Sequence, residues 1–284
     1  MDKPTFTPEY CEAQYNVRAA IPEHPRIFAR WKERSRQARR SLPCVLDVAY
    51  GSGPNERLDF FHARGKARAL LSFLHGGFWR ALDKSDFSFI AAPFVERGIA
   101  VAVVNYALAP GVAVETIVRQ MLAAHAWLYR NGRRHAAPEG RIYVSGHSAG
   151  GQLAAMMLAA VWPAYARDLP DDLVKGGLAV SGIYDLRPLL RVSFNSDMRL
   201  DAKSARKLSP VTYRPLRPVP LYTAVGGDES EEFRRQNRLI AGRWEHCFRR
   251  DIAMPGCHHL GVIERLGDSG SALFAGALEM IGVG

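Results

Sequence analysis

Eight short apolar runs spaced along most of the chain constrain its fold more than any other feature. They are Val45 to Tyr50, Leu58 to His62, Ala69 to His75, Ile99 to Asn105, Arg141 to Ser145, Gly177 to Ser181, Leu221 to Val225 and Phe248 to Met254. Each is strand-length, and the later ones lack clean alternation of apolar and polar residues, as strands buried on both faces do. Between them lie stretches with helical spacing, notably Val114 to Asn131, Gly151 to Trp162 and Glu231 to Trp244. Strand and helix in alternation predict an α/β fold with a mostly parallel eight-stranded sheet and helices on both faces. In such sheets ligands gather beyond the carboxyl ends of the strands, so the residues after each run carry the functional information.

With 284 residues and 48% hydrophobic composition, the chain can bury a sizeable core. No repeat or low-complexity tract divides it. The expectation is a single domain over 1–284, with an N-terminal helical extension to about residue 43 and a cap-like connection at about 185–215. The formal net charge of +10 raises the question of nucleic acid. Its densest stretch, Arg26 to Arg40, contains Ile27, Phe28 and Trp31, however, and reads as an amphipathic helix with a solvated arginine face. No nucleic-acid partner is expected. The longest apolar runs, Leu153 to Trp162 and Ala272 to Leu278, fall short of the roughly 18 residues of a membrane span, so no membrane role is expected either. The start Met1-Asp2-Lys3-Pro4 has no apolar stretch behind a basic segment, which predicts a cytoplasmic protein. Cys11, Cys44, Cys247 and Cys257 form no Cys-x-x-Cys clip, and there is no His-Glu-x-x-His, Walker or dinucleotide glycine pattern. The reading is of an enzyme without metal or cofactor, acting on a small molecule, with a homodimer left open.

The chemistry begins after the fifth run. Gly146-His147-Ser148-Ala149-Gly150 stands between a strand pattern and a helix pattern. A serine on so sharp a turn needs small residues two before and two after it, because Cβ atoms there would strike the adjoining strand and helix. With 25 glycines in the chain the bare pattern is weak; the strand, turn, helix context gives it weight. At the end of the third run stands His75-Gly76-Gly77-Phe78-Trp79. Acyl transfer builds negative charge on a carbonyl oxygen, and uncovered backbone amides can approach it closely. Gly76 and Gly77 offer two such amides, and Ala149 a third. A serine nucleophile also needs a base, and the base a carboxylate. Gly226-Gly227-Asp228-Glu229-Ser230 follows the seventh run and Pro255-Gly256-Cys257-His258-His259 the eighth, each with two adjacent candidates. His62 and His125 lie inside a strand and a helix pattern and read as surface or core residues.

These motifs resemble those of the α/β-hydrolase superfamily, in the branch of hormone-sensitive-lipase-like esterases and, more closely, arylformamidases (kynurenine formamidases). His75 to Trp79 is similar to their His-Gly-Gly-aromatic-Trp. Asn105-Tyr106-Ala107-Leu108-Ala109-Pro110 is similar to Tyr-Arg-Leu-Ala-Pro, departing at Ala107, where many esterases carry Arg. Ser181-Gly182-Ile183-Tyr184-Asp185-Leu186-Arg187-Pro188-Leu189 with Leu208-Ser209-Pro210 resembles the arylformamidase segment between nucleophile and acid. The resemblance implies an α/β-hydrolase fold with Ser148 as nucleophile. It aligns Glu229-Ser230-Glu231-Glu232-Phe233 with the family's Asp-Ser-Pro-Glu-Phe, making Glu229 the acid, and His259-Leu260-Gly261-Val262-Ile263-Glu264 with its late histidine, making His259 the base. The implied activity is hydrolysis of an aryl formamide such as N-formylkynurenine, with a broad carboxylesterase for short acyl esters as the alternative. Phe78 and Trp79, next to the candidate oxyanion glycines, are expected to border the substrate's aryl group. A substrate carboxylate would call for an arginine, and Arg187, Arg191 and Arg199 are the candidates.

Overall fold

A computed structural model of the protein describes residues 6–283, so the Met1 to Pro4 start lies outside the described residues. Eight strands form one sheet: β1 (Cys44–Ala49), β2 (Arg57–Phe61), β3 (Ala69–Leu74), β4 (Ile99–Val104), β5 (Ile142–His147), β6 (Val174–Val180), β7 (Leu221–Gly226) and β8 (Phe248–Met254). Their order is β1-β2-β4-β3-β5-β6-β7-β8. Only β2 runs antiparallel to its neighbours β1 and β4; all other pairs are parallel. The chain is an α/β protein with the α/β-hydrolase fold.

Among the described residues twelve α-helices accompany the sheet. Three precede it: α1 (Pro8–Tyr15), α2 (Val17–Ala20) and α3 (His24–Ser41). Within it come α4 (Ala91–Glu96), α5 (Val114–Asn131), α6 (Ala149–Ala159), α7 (Trp162–Tyr165), α8 (Asn195–Met198), α9 (Ala202–Lys207) and α10 (Glu231–Arg243). After β8 follow α11 (His259–Glu264) and α12 (Ala272–Ile281). The stretch at 185–215 contains α8, α9 and two 3₁₀ turns between β6 and β7.

The two-residue period of the strands sorts their side chains into two cores. Leu70 and Leu74 of β3, with Ala100, Ala102 and Val104 of β4, face Tyr15 of α1, Met121 of α5, Leu153 of α6 and Ile240 of α10. Leu71 and Phe73, with Ile99, Val101 and Val103, face Trp31 of α3, Phe94 of α4, Ile263 of α11 and Phe274 of α12. Central β3 and β4 are therefore buried throughout, and their sequences read as continuous apolar runs. The edge strand β8 is different. Arg249, Arg250 and Asp251 are exposed, and charge along an open edge discourages pairing with another sheet.

Two boundaries depart from expectation. Strand β6 starts at Val174, not Gly177, because Gly176 and Gly177 dilute the β signal where Leu158 of α6 packs closely on the backbone. Helix α6 starts at Ala149, directly after the serine, and stops at Ala159, since the next residues open the separate turn α7 with Pro163 near its start. The N-terminal helix is tied to the sheet by charge. Arg39 of α3 and Lys84 both reach the fully buried Asp59 of β2, with Lys84 Nζ at 2.7 Å.

His125 is an interior residue of α5. Its Nδ1 lies 2.8 Å from the Met121 carbonyl, its Nε2 has no partner among the described residues, and burial holds its pKa at about 4. The unfolded chain, with histidine near 6.5, thus takes up the proton first as pH falls. The contribution is complete above about pH 6.5 and is lost progressively down to about pH 4. Over pH 7 to 4.5 the wild-type protein is expected to lose about 2–3 kcal/mol through this group. Urea midpoints should fall less steeply with pH in His125→Gln; equal slopes for the two proteins would contradict the assignment.

Candidate active site

Ser148 stands with no intervening loop between the end of β5 and the start of α6, at φ 58 and ψ −119. Left-handed backbone at a residue with a side chain is strained and must be enforced by its surroundings. The glycines on either side permit it. A Cβ on Gly146 would sit 2.1 Å from the Gly150 carbonyl oxygen, and one on Gly150 would sit 1.9 Å from that of Leu74. The turn thus closes only with bare backbone at both positions, and it holds Ser148 at the carboxyl end of a central strand.

The loop after β3 comes against this turn. A Cβ on Gly76 would lie 3.1 Å from that of Ser148. The amides of Gly76, Gly77 and Ala149 have no acceptor among the described residues, so three donors are left free around the serine. Ala149 is also the first residue of α6, whose N-terminal dipole adds positive potential there. Behind the loop, buried His75 stacks on Tyr106 with ring centroids 4.1 Å apart, and the Tyr106 hydroxyl donates to the His75 carbonyl at 2.7 Å. Asn105 Oδ1 faces His75 Nε2 at 3.1 Å and accepts from the Lys84 amide, while its Nδ2 donates to Asp83. Asn105 and Tyr106, known from sequence only as part of a motif, brace the glycine loop. Ala107, where the motif departs, uses its amide to bond Gln120 and bears no charge to the site.

The loops after β7 and β8 are stitched together by backbone bonds from Gly227 to Met254 and from Asp228 to Cys257. This brings Glu229 to His259. Glu229 Oε2 is 2.6 Å from His259 Nδ1, while Oε1 accepts from the Gly226 amide at 2.7 Å and from the Ser181 hydroxyl. Both oxygens of a fully buried carboxylate side chain are thereby occupied. The neighbours do other work. Asp228 is exposed, and His258 caps α11, accepting at Nδ1 from the amides of Leu260 and Gly261. Phe233 of α10 lies against the His259 ring with centroids 4.1 Å apart. His147 Nε2 is 2.8 Å from the His259 carbonyl, and burial, with His259 beside it, holds its pKa well below the ordinary histidine value. Neutral His147 can then donate that bond and fix the start of α11. Nothing in the sequence distinguished it from the variable position of a nucleophile turn.

Ser148, His147 and His259 line one open cleft. Gly77 and Phe78 line it too. Trp79 does not, which corrects the expectation that it borders the substrate. Its ring is fully buried with Nε1 donating to Gln152 at 3.1 Å, so it is a packing residue beneath the loop. The arginine candidates also need correction. Arg187 is paired with Asp185, Arg191 and Arg199 are exposed, and none of the three lines the cleft. Arg18 and Arg80 do. Among the described residues no group of three His, Cys, Asp or Glu side chains is placed to hold a metal ion, and no helix is long and apolar enough to cross a membrane.

Comparison with known proteins agrees with this architecture. A family model described as alpha/beta hydrolase fold matches residues 71–209. A kynurenine formamidase of Salmo salar is 29% identical over 98% of this chain and 94% of its own length. That of Danio rerio is 29% identical over 99% and 97%. Among solved structures, a candidate thioesterase from a Silicibacter species is 32% identical with a TM-score of 0.81, covering 92% of this chain and 96% of its own. An esterase of Pyrobaculum calidifontis, 19% identical at a TM-score of 0.71 over 92% of this chain and 93% of its own, shares the fold.

Proposed function

The chain belongs to the α/β-hydrolase superfamily and is a hydrolase, and from that premise we propose that it is of the arylformamidase-like, hormone-sensitive-lipase-like esterase branch and cleaves an aryl formamide such as N-formylkynurenine to formate and kynurenine. The observation that carries the reading is the buried Glu229–His259 hydrogen bond in the cleft that Ser148 lines. Ser148 Oγ attacks the formyl carbon while His259 takes its proton, and Glu229 holds the imidazole in the tautomer that can accept it. The carbonyl oxygen becomes an oxyanion, received by the amides of Gly76, Gly77 and Ala149, each such donor being worth roughly 10²-fold or more in turnover. Collapse of the adduct breaks the C–N bond, and His259 returns the proton to the departing arylamine. Water then attacks the formyl-serine with His259 again as base, releasing formate and restoring Ser148.

The choice of a formamide over an ester rests on likeness to kynurenine formamidases along nearly the whole chain. The esterases among similar structures keep short acyl esters as the second reading. Product analysis separates the two. Incubation with N-formylkynurenine is expected to release formate and arylamine in equal amounts, catalytically and without added metal. Absence of both products alongside brisk hydrolysis of 4-nitrophenyl acetate would replace the formamidase reading with the carboxylesterase one.

A further inference from the structure

Apart from its reacting groups, the cleft has a marked chemical bias. The partly exposed Phe28, Phe78 and Phe194 are among its lining residues, together with Arg18 and Arg80 and with the fully buried Tyr15 and Trp31, and no Asp or Glu is. Four carboxylates bonded to or beside its lining residues are already engaged: Glu12 by the amide and hydroxyl of Ser193, Asp197 by Arg80, Glu232 by Arg235 and Tyr15, and Glu264 by Arg30 and Trp31. The two arginines are not equivalent. Arg80 is held by Asp197 and lies over the Phe194 ring. Arg18 has no ion-pair or hydrogen-bond partner among the described residues and lies 5.7 Å from the centroid of Phe28. An exposed guanidinium with unused donors, lining the cleft beside the Phe28 ring, is a ready receptor for a carboxylate, which it can grip through two parallel hydrogen bonds.

We propose that Arg18 is the anchor for a carboxylate on the leaving group, so that helix α2 of the N-terminal segment selects carboxylate-bearing aryl substrates for the serine site. The proposal rests on the hydrolase reading of the cleft but not on the identity of the acyl group. Aromatic rings take up the aryl body of the leaving group, and Arg18 fixes its charged end, orienting the scissile carbonyl toward Ser148. Arg80, neutralised by Asp197, contributes a packing wall.

The test compares two matched pairs, in each of which a methyl ester removes the carboxylate: N-formylkynurenine with its methyl ester, and 3-(4-acetoxyphenyl)propanoate with its methyl ester. The quantity read is the ratio of kcat/KM for the free carboxylate to that for its methyl ester, with arylamine or phenol release monitored; the α-ammonium of N-formylkynurenine is present in both members of its pair. Arg18→Gln is expected to lower that ratio about tenfold or more in both pairs, chiefly through KM, and Arg18→Lys to recover part of it. An unchanged ratio in Arg18→Gln, or a fall produced by Arg80→Gln instead, would overturn the assignment. If N-formylkynurenine is not cleaved but the acetate pair still depends on Arg18, the formamide reading fails and the anchor stands. Should Arg18→Gln not fold, inhibition of the wild-type enzyme decides. The anchor requires 4-phenylbutyrate to inhibit about tenfold more tightly than 4-phenylbutanol, and equal inhibition would contradict it.

Discussion

Ser148→Ala is expected to fold normally and to lose at least about 10⁴-fold in turnover of every substrate the wild-type enzyme accepts. Triad nucleophiles in general leave behind only the roughly 10³ to 10⁴-fold acceleration over water that oxyanion donors and binding supply. Folding is safe because alanine removes one hydroxyl from a turn whose geometry is enforced by the close packing of Gly146 and Gly150. The positive φ of Ser148 is paid in the wild type as well, and alanine adds no new strain. A fluorophosphonate should label Ser148 in the wild type and nothing in the variant. Labelling at another serine, or activity retained in Ser148→Ala, would remove the nucleophile from the account.

The second large effect separates neighbours. Glu229→Gln and His259→Ala are each expected to lower kcat by about 10³ to 10⁴-fold, whereas Asp228→Asn and His258→Ala should stay within a few-fold of wild type. An amide at position 229 can still accept from Gly226 and Ser181, but it no longer balances an imidazolium, and it can present its NH₂ to the ring and favour the wrong tautomer. His258→Ala removes a helix cap, with a cost of about 1 kcal/mol in stability rather than in chemistry. Steady-state kinetics with melting curves on the four variants check this. Comparable losses from Asp228→Asn and Glu229→Gln would mean that the carboxylate has been misassigned.

The contrast between these pairs marks how far the sequence carries. Continuous apolar runs such as Ile99 to Val104 announce strands buried on both faces, and all eight are present within a few residues of their expected bounds. The small residues around Ser148 were legible because steric exclusion is local: Gly146 and Gly150 are needed by atoms within a few positions or on the adjacent strand. Choosing Glu229 over Asp228 from residues alone was not possible, since the choice depends on how two loops some 30 positions apart are stitched, and only a family likeness pointed to it. Trp79 misled for a related reason. A ring beside an oxyanion loop can face the cleft or the core, and the side chain that decides, Gln152, is 73 residues away. Arg18 carried no signal at all. Its place in the cleft comes from packing the N-terminal helices against loops that begin some 60 to 240 positions later, which no local pattern encodes.

The central claim, that this serine hydrolase is built for an aryl formamide, is tested most directly by the ratio of kcat/KM for N-formylkynurenine to that for 4-nitrophenyl butyrate. Esters are intrinsically easier to hydrolyse than amides, so rate on an activated ester alone says nothing about design. A site made for the formamide should overcome that disadvantage, with N-formylkynurenine preferred by about tenfold or more. Turnover of N-formylkynurenine no better than that of the butyrate ester would contradict the account and leave a general carboxylesterase.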